Sequence, residues 1–159
     1  MTWHSSLPTL TDGGTPTAAQ INQYLDNINY LRNPSTWSYQ YTGTADISIS
    51  GTASYGTISG FEGTLITQGG YVEITFMAAA RRCELDLQVD GTRFTSTSVA
   101  GTGAVTTNIA GYYATVNLPI LITDLTAGTH TFRMLGKALS VTAGDILAAY
   151  QPRFYVREL

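Results

Sequence analysis

Two spacings of apolar residues divide the chain. Between Thr17 and Pro34, Ile21, Tyr24, Leu25, Ile28 and Leu31 recur at helical intervals and form one stripe, while Asn22, Gln23, Asp26, Asn27 and Asn29 face the other way. Thr17 with Gln20 three residues on predicts a capping box, and Asn33-Pro34 predicts the stop. From Thr36 onward the period is two. "GYVEITFMA" puts Val72, Ile74 and Phe76 on one face; "CELDLQVDGTRF" sends Cys83, Leu85, Leu87 and Val89 inward and Glu84, Asp86, Gln88 and Asp90 outward. Asp90-Gly91 predicts a tight hairpin. Val116, Leu118, Ile120 and Ile122 share a face in a long apolar strand whose Pro119 suggests an edge or a bulge. His130, Phe132 and Met134 oppose Thr129, Thr131 and Arg133.

Short strands separated by Gly-rich turns, with no second helix, predict a mostly β protein: an antiparallel jelly-roll-type β-sandwich preceded by an extended arm and one short α-helix. The expected division is 1–35 for arm and anchoring helix and 36–159 for the sandwich. Residues 43–60 alternate weakly and read as surface strands or long loops. Residues 96–111 read as a long loop. Before the helix, Trp3, Leu7 and Leu10 are spaced by polar residues and Pro8 and have no period; the segment reads as an arm with something to bury. A helix this short is marginal alone in water, so its stripe needs a partner. Packing across the open end of the sandwich and a bundle of three identical helices satisfy the spacing equally, and two heptads do not specify an oligomer.

Composition sharpens this picture. Only 12% of the 159 residues are charged, about half the usual share, so the surface is covered by hydroxyls and amides. The net charge is −3 and the basic residues are scattered apart from Arg81-Arg82, which argues against nucleic acid as a partner. The first ten residues lack the basic and apolar regions of a signal peptide, and no apolar run is long enough to insert into a membrane.

Candidate chemistry is sparse. Cys83 is the single cysteine and falls in an apolar alternation, as a buried small hydrophobe does. His4 and His130 have no second ligand at metal spacing, and no metal or cofactor is expected. There is no G-x-S-x-G, and Gly101-Thr102-Gly103 lacks the residues and helix of a phosphate loop. Glu84 and Asp86 share an outward strand face, where they are solvated, hold a cation, or serve as a hydrolytic pair. Tyr39, Tyr41, Tyr55, Tyr112 and Tyr113 are candidates for a sugar-stacking or partner surface, because tyrosine joins an apolar ring to a polar hydroxyl.

Two stretches resemble known proteins. "LTDGGTPTAAQINQYLDNINYLRNP" resembles the start of many tailed-bacteriophage virion proteins, which carry a Trp-containing arm, a turn and a helix. The matching residues are Thr17, Ala18, Ala19, Gln20, Ile21, Asn22, Tyr24, Asp26, Asn27, Ile28, Tyr30 and Leu31. "GGYVEITF", "LDLQVDGT", "LTAGTHTFRM" and "FYVREL" look like the small jelly-roll modules of phage fibres, spikes and decoration proteins, similar in shape to tumour necrosis factor-like trimers. Together the stretches cover most of the chain. A long shaft between helix and sandwich is missing, which suits a compact knob.

The resemblance implies a non-enzymatic virion protein, a homotrimer, with other capsid or tail proteins as partners. Trp3, Leu7, Leu10, Ile21, Tyr24, Leu25, Ile28 and Leu31 are then the anchor or oligomer contacts. A decoration, cement or head-spike protein is the first expectation. A tail-fibre or baseplate knob for a host surface glycan is the second, and a virion-associated glycan hydrolase the third.

Overall fold

The structure is a computed structural model that describes residues 14–32, 34–50, 54–94, 105–107, 112–139 and 143–159. The chain divides into two compact units between Ser35 and Thr36.

The first unit contains helix α1, Ala18–Arg32. Its start is local chemistry: the Thr17 N–H donates to Gln20 Oε1 at 2.8 Å, and the Gln20 N–H donates back to Thr17 Oγ1 at 3.3 Å. This is the capping box, satisfying donors that the first turn leaves without intrahelical acceptors. Among the described residues no helix is long and apolar enough to cross a membrane.

The second unit is a sandwich of two antiparallel sheets. One contains β1 (Thr36–Gln40), β2 (Ile47–Ile49), β4 (Gly70–Arg81), β8 (Ala114–Leu125), β10 (Gly144–Ile146) and β11 (Arg153–Glu158). Here β8 takes one edge of β4, while β11 and β10 share the other; β1 adds to β11 and β2 to β10. The other sheet runs β3 (Gly56–Thr67), β9 (Gly128–Ala138), β5 (Cys83–Val89), with β6 (Thr92–Arg93) and β7 (Val105–Thr107) both on the far edge of β5. Each sheet draws strands from distant parts of the sequence, the jelly-roll arrangement expected. Pro119 is accommodated because β8 pairs only with β4 among the described residues, leaving it at an edge. Asp90 (φ 49°) and Gly91 (φ 84°) make the two-residue hairpin turn between β5 and β6.

The alternating residues meet between the sheets. Val72, Ile74, Phe76, Leu85, Leu87, Phe132, Met134, Phe154 and Val156 are fully buried. Aromatic rings run through this core edge to face: Trp37 on Phe154 (5.4 Å between centroids), Tyr39 on Phe61 (5.0 Å) and Phe61 on Phe76 (5.4 Å). Strand β3 is bulged, since Thr57 pairs with Leu135 but Glu62 already with Arg133. Gly60, at φ 86°, sits in that bulge, and the Trp37 ring lies directly on Gly63 where a Cβ would be.

The chain passes from one sheet to the other at Arg82, a single residue between β4 and β5 with φ 52°. Asp145 on β10 holds this corner through Arg81 (2.8 Å) and Arg82 (3.6 Å). A 3-10 turn, Ala148–Tyr150, links β10 to β11.

Candidate functional site

The helix stripe is the first candidate. Ile21, Leu25 and Ile28 are 46%, 49% and 45% exposed, whereas Asn27 from the expected polar face is buried. Tyr24 is half-buried. Trp3, Leu7, Leu10 and His4 lie outside the described residues, as do most of 96–111 and the side chain of Leu31.

The second candidate is the acidic pair. Cross-strand geometry puts Glu84 and Asp86 on the outer face of β5, as expected, but Asp86 is fully buried rather than solvated. The physical reason is a roof of cations and one aromatic ring. Arg93, two residues past the hairpin turn, reaches back so that its Nε and Nη2 each donate to Asp86 Oδ2 at 2.7 Å, and Asp86 Oδ1 accepts the Leu87 N–H at 2.8 Å. Lys137 on β9 pairs with Glu84. The Tyr55 ring is contacted by both cations, Arg93 at 3.8 Å and Lys137 at 5.0 Å from its centroid. The Lys137 ammonium beside Glu84, helped by the Tyr55 hydroxyl and opposed by desolvation, holds the Glu84 carboxyl below its usual range. Desolvation and the neighbouring Glu84 push the Tyr55 hydroxyl up to about 12.

A lowered Glu84 is unsuited to be the general acid of glycoside hydrolysis, which needs a carboxyl kept protonated near neutral pH. Each carboxylate already has its cation, so neither is set out to bind another. Among the described residues no group of three or more His, Cys, Asp and Glu could hold a metal ion.

The third candidate is the tyrosine set, which the fold disperses. Tyr39 packs on Phe61 in the core, and the Tyr41 hydroxyl donates to the Ala45 carbonyl at 2.8 Å. Tyr55 belongs to the cation roof. The Tyr113 hydroxyl donates to Asp46 Oδ2 at 2.8 Å while its ring receives Arg81 at 4.7 Å. The Ala148 N–H donates to the other Asp46 oxygen at 2.9 Å; with the Tyr113 bond it holds the Asp46 carboxyl below its usual range. Of the five, Tyr112 alone is largely exposed, at 75%. Sequence reasoning missed the other open rings, Tyr71 on β4 and Tyr150 in the 3-10 turn.

His130 is a brace between turns. Its Nδ1 meets Asp90 Oδ2 at 2.6 Å and its Nε2 the Thr126 carbonyl at 2.8 Å, which joins the β5–β6 and β8–β9 turns. Desolvation opposes ionisation of Asp90, but the Thr131 N–H and the imidazole outweigh it and hold the carboxyl low. Cys83 is buried in the core.

No family model matches the chain, and no curated protein matches it. Solved structures similar to it include VP2 in a subviral particle of infectious bursal disease virus (10% identity, TM-score 0.49, covering 79% of this chain and 33% of that one). The CBM36-1 domain of a multidomain xylanase from the hindgut metagenome of Trinervitermes trinervoides is similar at 11% identity and TM-score 0.42, over 78% of this chain and 97% of that one. The family 35 module CBM35 from Paenibacillus barcinonensis is similar at 12% identity and TM-score 0.35, over 77% and 99%. This chain thus spans about a third of the VP2 chain, and at such scores these likenesses carry no argument about function.

Proposed function

We propose that this protein is a non-enzymatic structural component of a bacteriophage particle. In this reading it is a compact decoration or cement protein that associates as a homotrimer on the exterior and is held there by residues 1–35. The observation that carries the reading is the half-exposed apolar stripe on α1. A short helix begun by a designed cap yet presenting Ile21, Leu25 and Ile28 about half exposed gains little from its own burial. Complete burial of such side chains is worth about 2 kcal/mol each, so a partner surface has several kcal/mol to offer. The tied carboxylates of β5 support a non-enzymatic role.

The test is Ile28→Asp in the intact chain. The expected outcome is loss of incorporation into particles while the sandwich keeps its circular dichroism and melting temperature. Normal incorporation of that variant overturns the anchoring role.

The exposed rings of Tyr112 and Tyr150 favour a second placement, a tail-fibre or baseplate knob that contacts a host surface glycan. A cryo-electron microscopy map of the particle separates the two. Density over the capsid lattice supports decoration, density at the tail tip supports the knob, and absence from the particle defeats both.

A further inference from the structure

Nearly every cation in the described structure has a carboxylate. Arg81 and Arg82 share Asp145, Arg93 has Asp86, Arg133 has Glu62, Lys137 has Glu84 and Arg157 has Glu73. Among the basic residues whose side chains are described, Arg153 is the one without a carboxylate, and it is exposed.

Its position is equally particular. Strand register places Gln40, Arg153, Met77 and Asn117 in one row across β1, β11, β4 and β8, on the outer face of the sheet. Such a row is ~14 Å long at the usual strand spacing. A hollow of about 290 Å³ opens on the β1 side and one of about 320 Å³ on the β8 side, and Arg153 and Met77 wall both. Tyr155 lines the first. Tyr150, 65% exposed, lines the second. Gln151 is held left-handed at φ 47°, an uncommon conformation for a residue with a side chain, and its Oε1 accepts from Gln40 Nε2 at 2.8 Å. Two fixed amides therefore flank the free guanidinium. Ser38, Thr75, Thr115 and Asn117 add hydroxyls and an amide to walls that also include the apolar Ala78, Val116 and Phe154, and no carboxylate lines either hollow.

We propose that this strip binds an acidic saccharide. The guanidinium of Arg153 takes the carboxylate of a uronate or sialate residue as a two-point pair, and the adjoining sugar ring lies on Tyr150. Uncharged amides and hydroxyls suit the sugar hydroxyls. The chain's net charge of −3 gives no long-range pull on anions, so selection for negative charge rests on this one local cation. An added peptide strand does not fit, because a sheet face offers no unpaired backbone. A second copy packed here would bury two unpaired guanidinium groups, which is costly. The inference is independent of where the protein sits on a particle.

The full chain is titrated by NMR and calorimetry with three probes: 3′-sialyllactose, digalacturonic acid and neutral lactose. At least one acidic probe should bind, roughly tenfold or more tighter than lactose, as a charge-assisted pair requires. Arg153→Gln should remove that preference, and Tyr150→Ala should weaken binding while keeping the preference. Arg133→Gln, a surface cation elsewhere, should change nothing. No binding of either acid, equal binding of lactose, or unchanged binding by Arg153→Gln overturns the proposal. So does concentration-dependent dimerisation of the chain that Arg153→Gln abolishes.

Discussion

Glu158 ends β11 at 1% exposure, with Oε1 accepting the Gln68 N–H at 2.6 Å in the β3–β4 turn and Oε2 buried without a hydrogen-bond partner. Desolvation outweighs the backbone N–H groups of Gln68 and Gly69 and raises its pKa above the ordinary 4.5. A raised carboxyl contributes stability that is present below its unfolded value and lost as pH rises through the folded one. Glu158→Gln cannot ionise, so it should gain on the wild type as pH rises from about 4.5 towards 7, measured by urea unfolding at each pH. Parallel curves for the two proteins would contradict this. Asp46, Glu84 and Asp90 act in the opposite sense: their lowered values contribute above the ordinary range, and that contribution fades as pH falls. At Gly63 the constraint is volume. The Trp37 ring occupies the place of a Cβ, whereas at Gly56 nothing lies within 4 Å of it. Gly63→Ala should cost about 2 kcal/mol by displacing the ring, and Gly56→Ala well under half that. Equal costs in denaturant unfolding would show that the Trp37 contact is not what fixes the glycine.

The strands that read clearly are those with one face dry and one wet. Alternation in β4, β5, β8 and β9 carried their inward residues, and a local hairpin turn carried Asp90-Gly91. The capping box was legible for the same reason, because Thr17 and Gln20 are three residues apart. What the sequence did not reveal depends on pairing at a distance. Asp86 reads as a solvated acid until Arg93 and Tyr55 close over it. Residues 43–60 alternate weakly because β2 is three residues long and β3 is bulged just beyond. Arg81-Arg82 reads as a basic pair; that it is the corner where the chain changes sheets depends on a positive φ at a non-glycine and on Asp145 more than sixty residues on. Arg153 and Arg157 look alike in "RFYVREL", and only register separates the one facing Glu73 from the one facing Met77.

Across the whole sandwich, β1 and β11 are Cα partners from Thr36↔Arg157 to Gln40↔Arg153, residues more than a hundred positions apart along the chain. The domain is thus closed by its first strand finding its last, a pairing whose loop-closure entropy must be met before its contacts form. Joining the residue after Glu158 to Ser35 through a two-residue turn, and opening the chain in the exposed turn at Gly43–Thr44, would make the same five pairs a hairpin. Native contacts stay as they are; their order of assembly changes. Such a circular permutant should refold faster than the parent sandwich in stopped-flow experiments, with little change in unfolding rate. Equal refolding rates would mean that β1 docks after the slow step, leaving the sandwich to form without it.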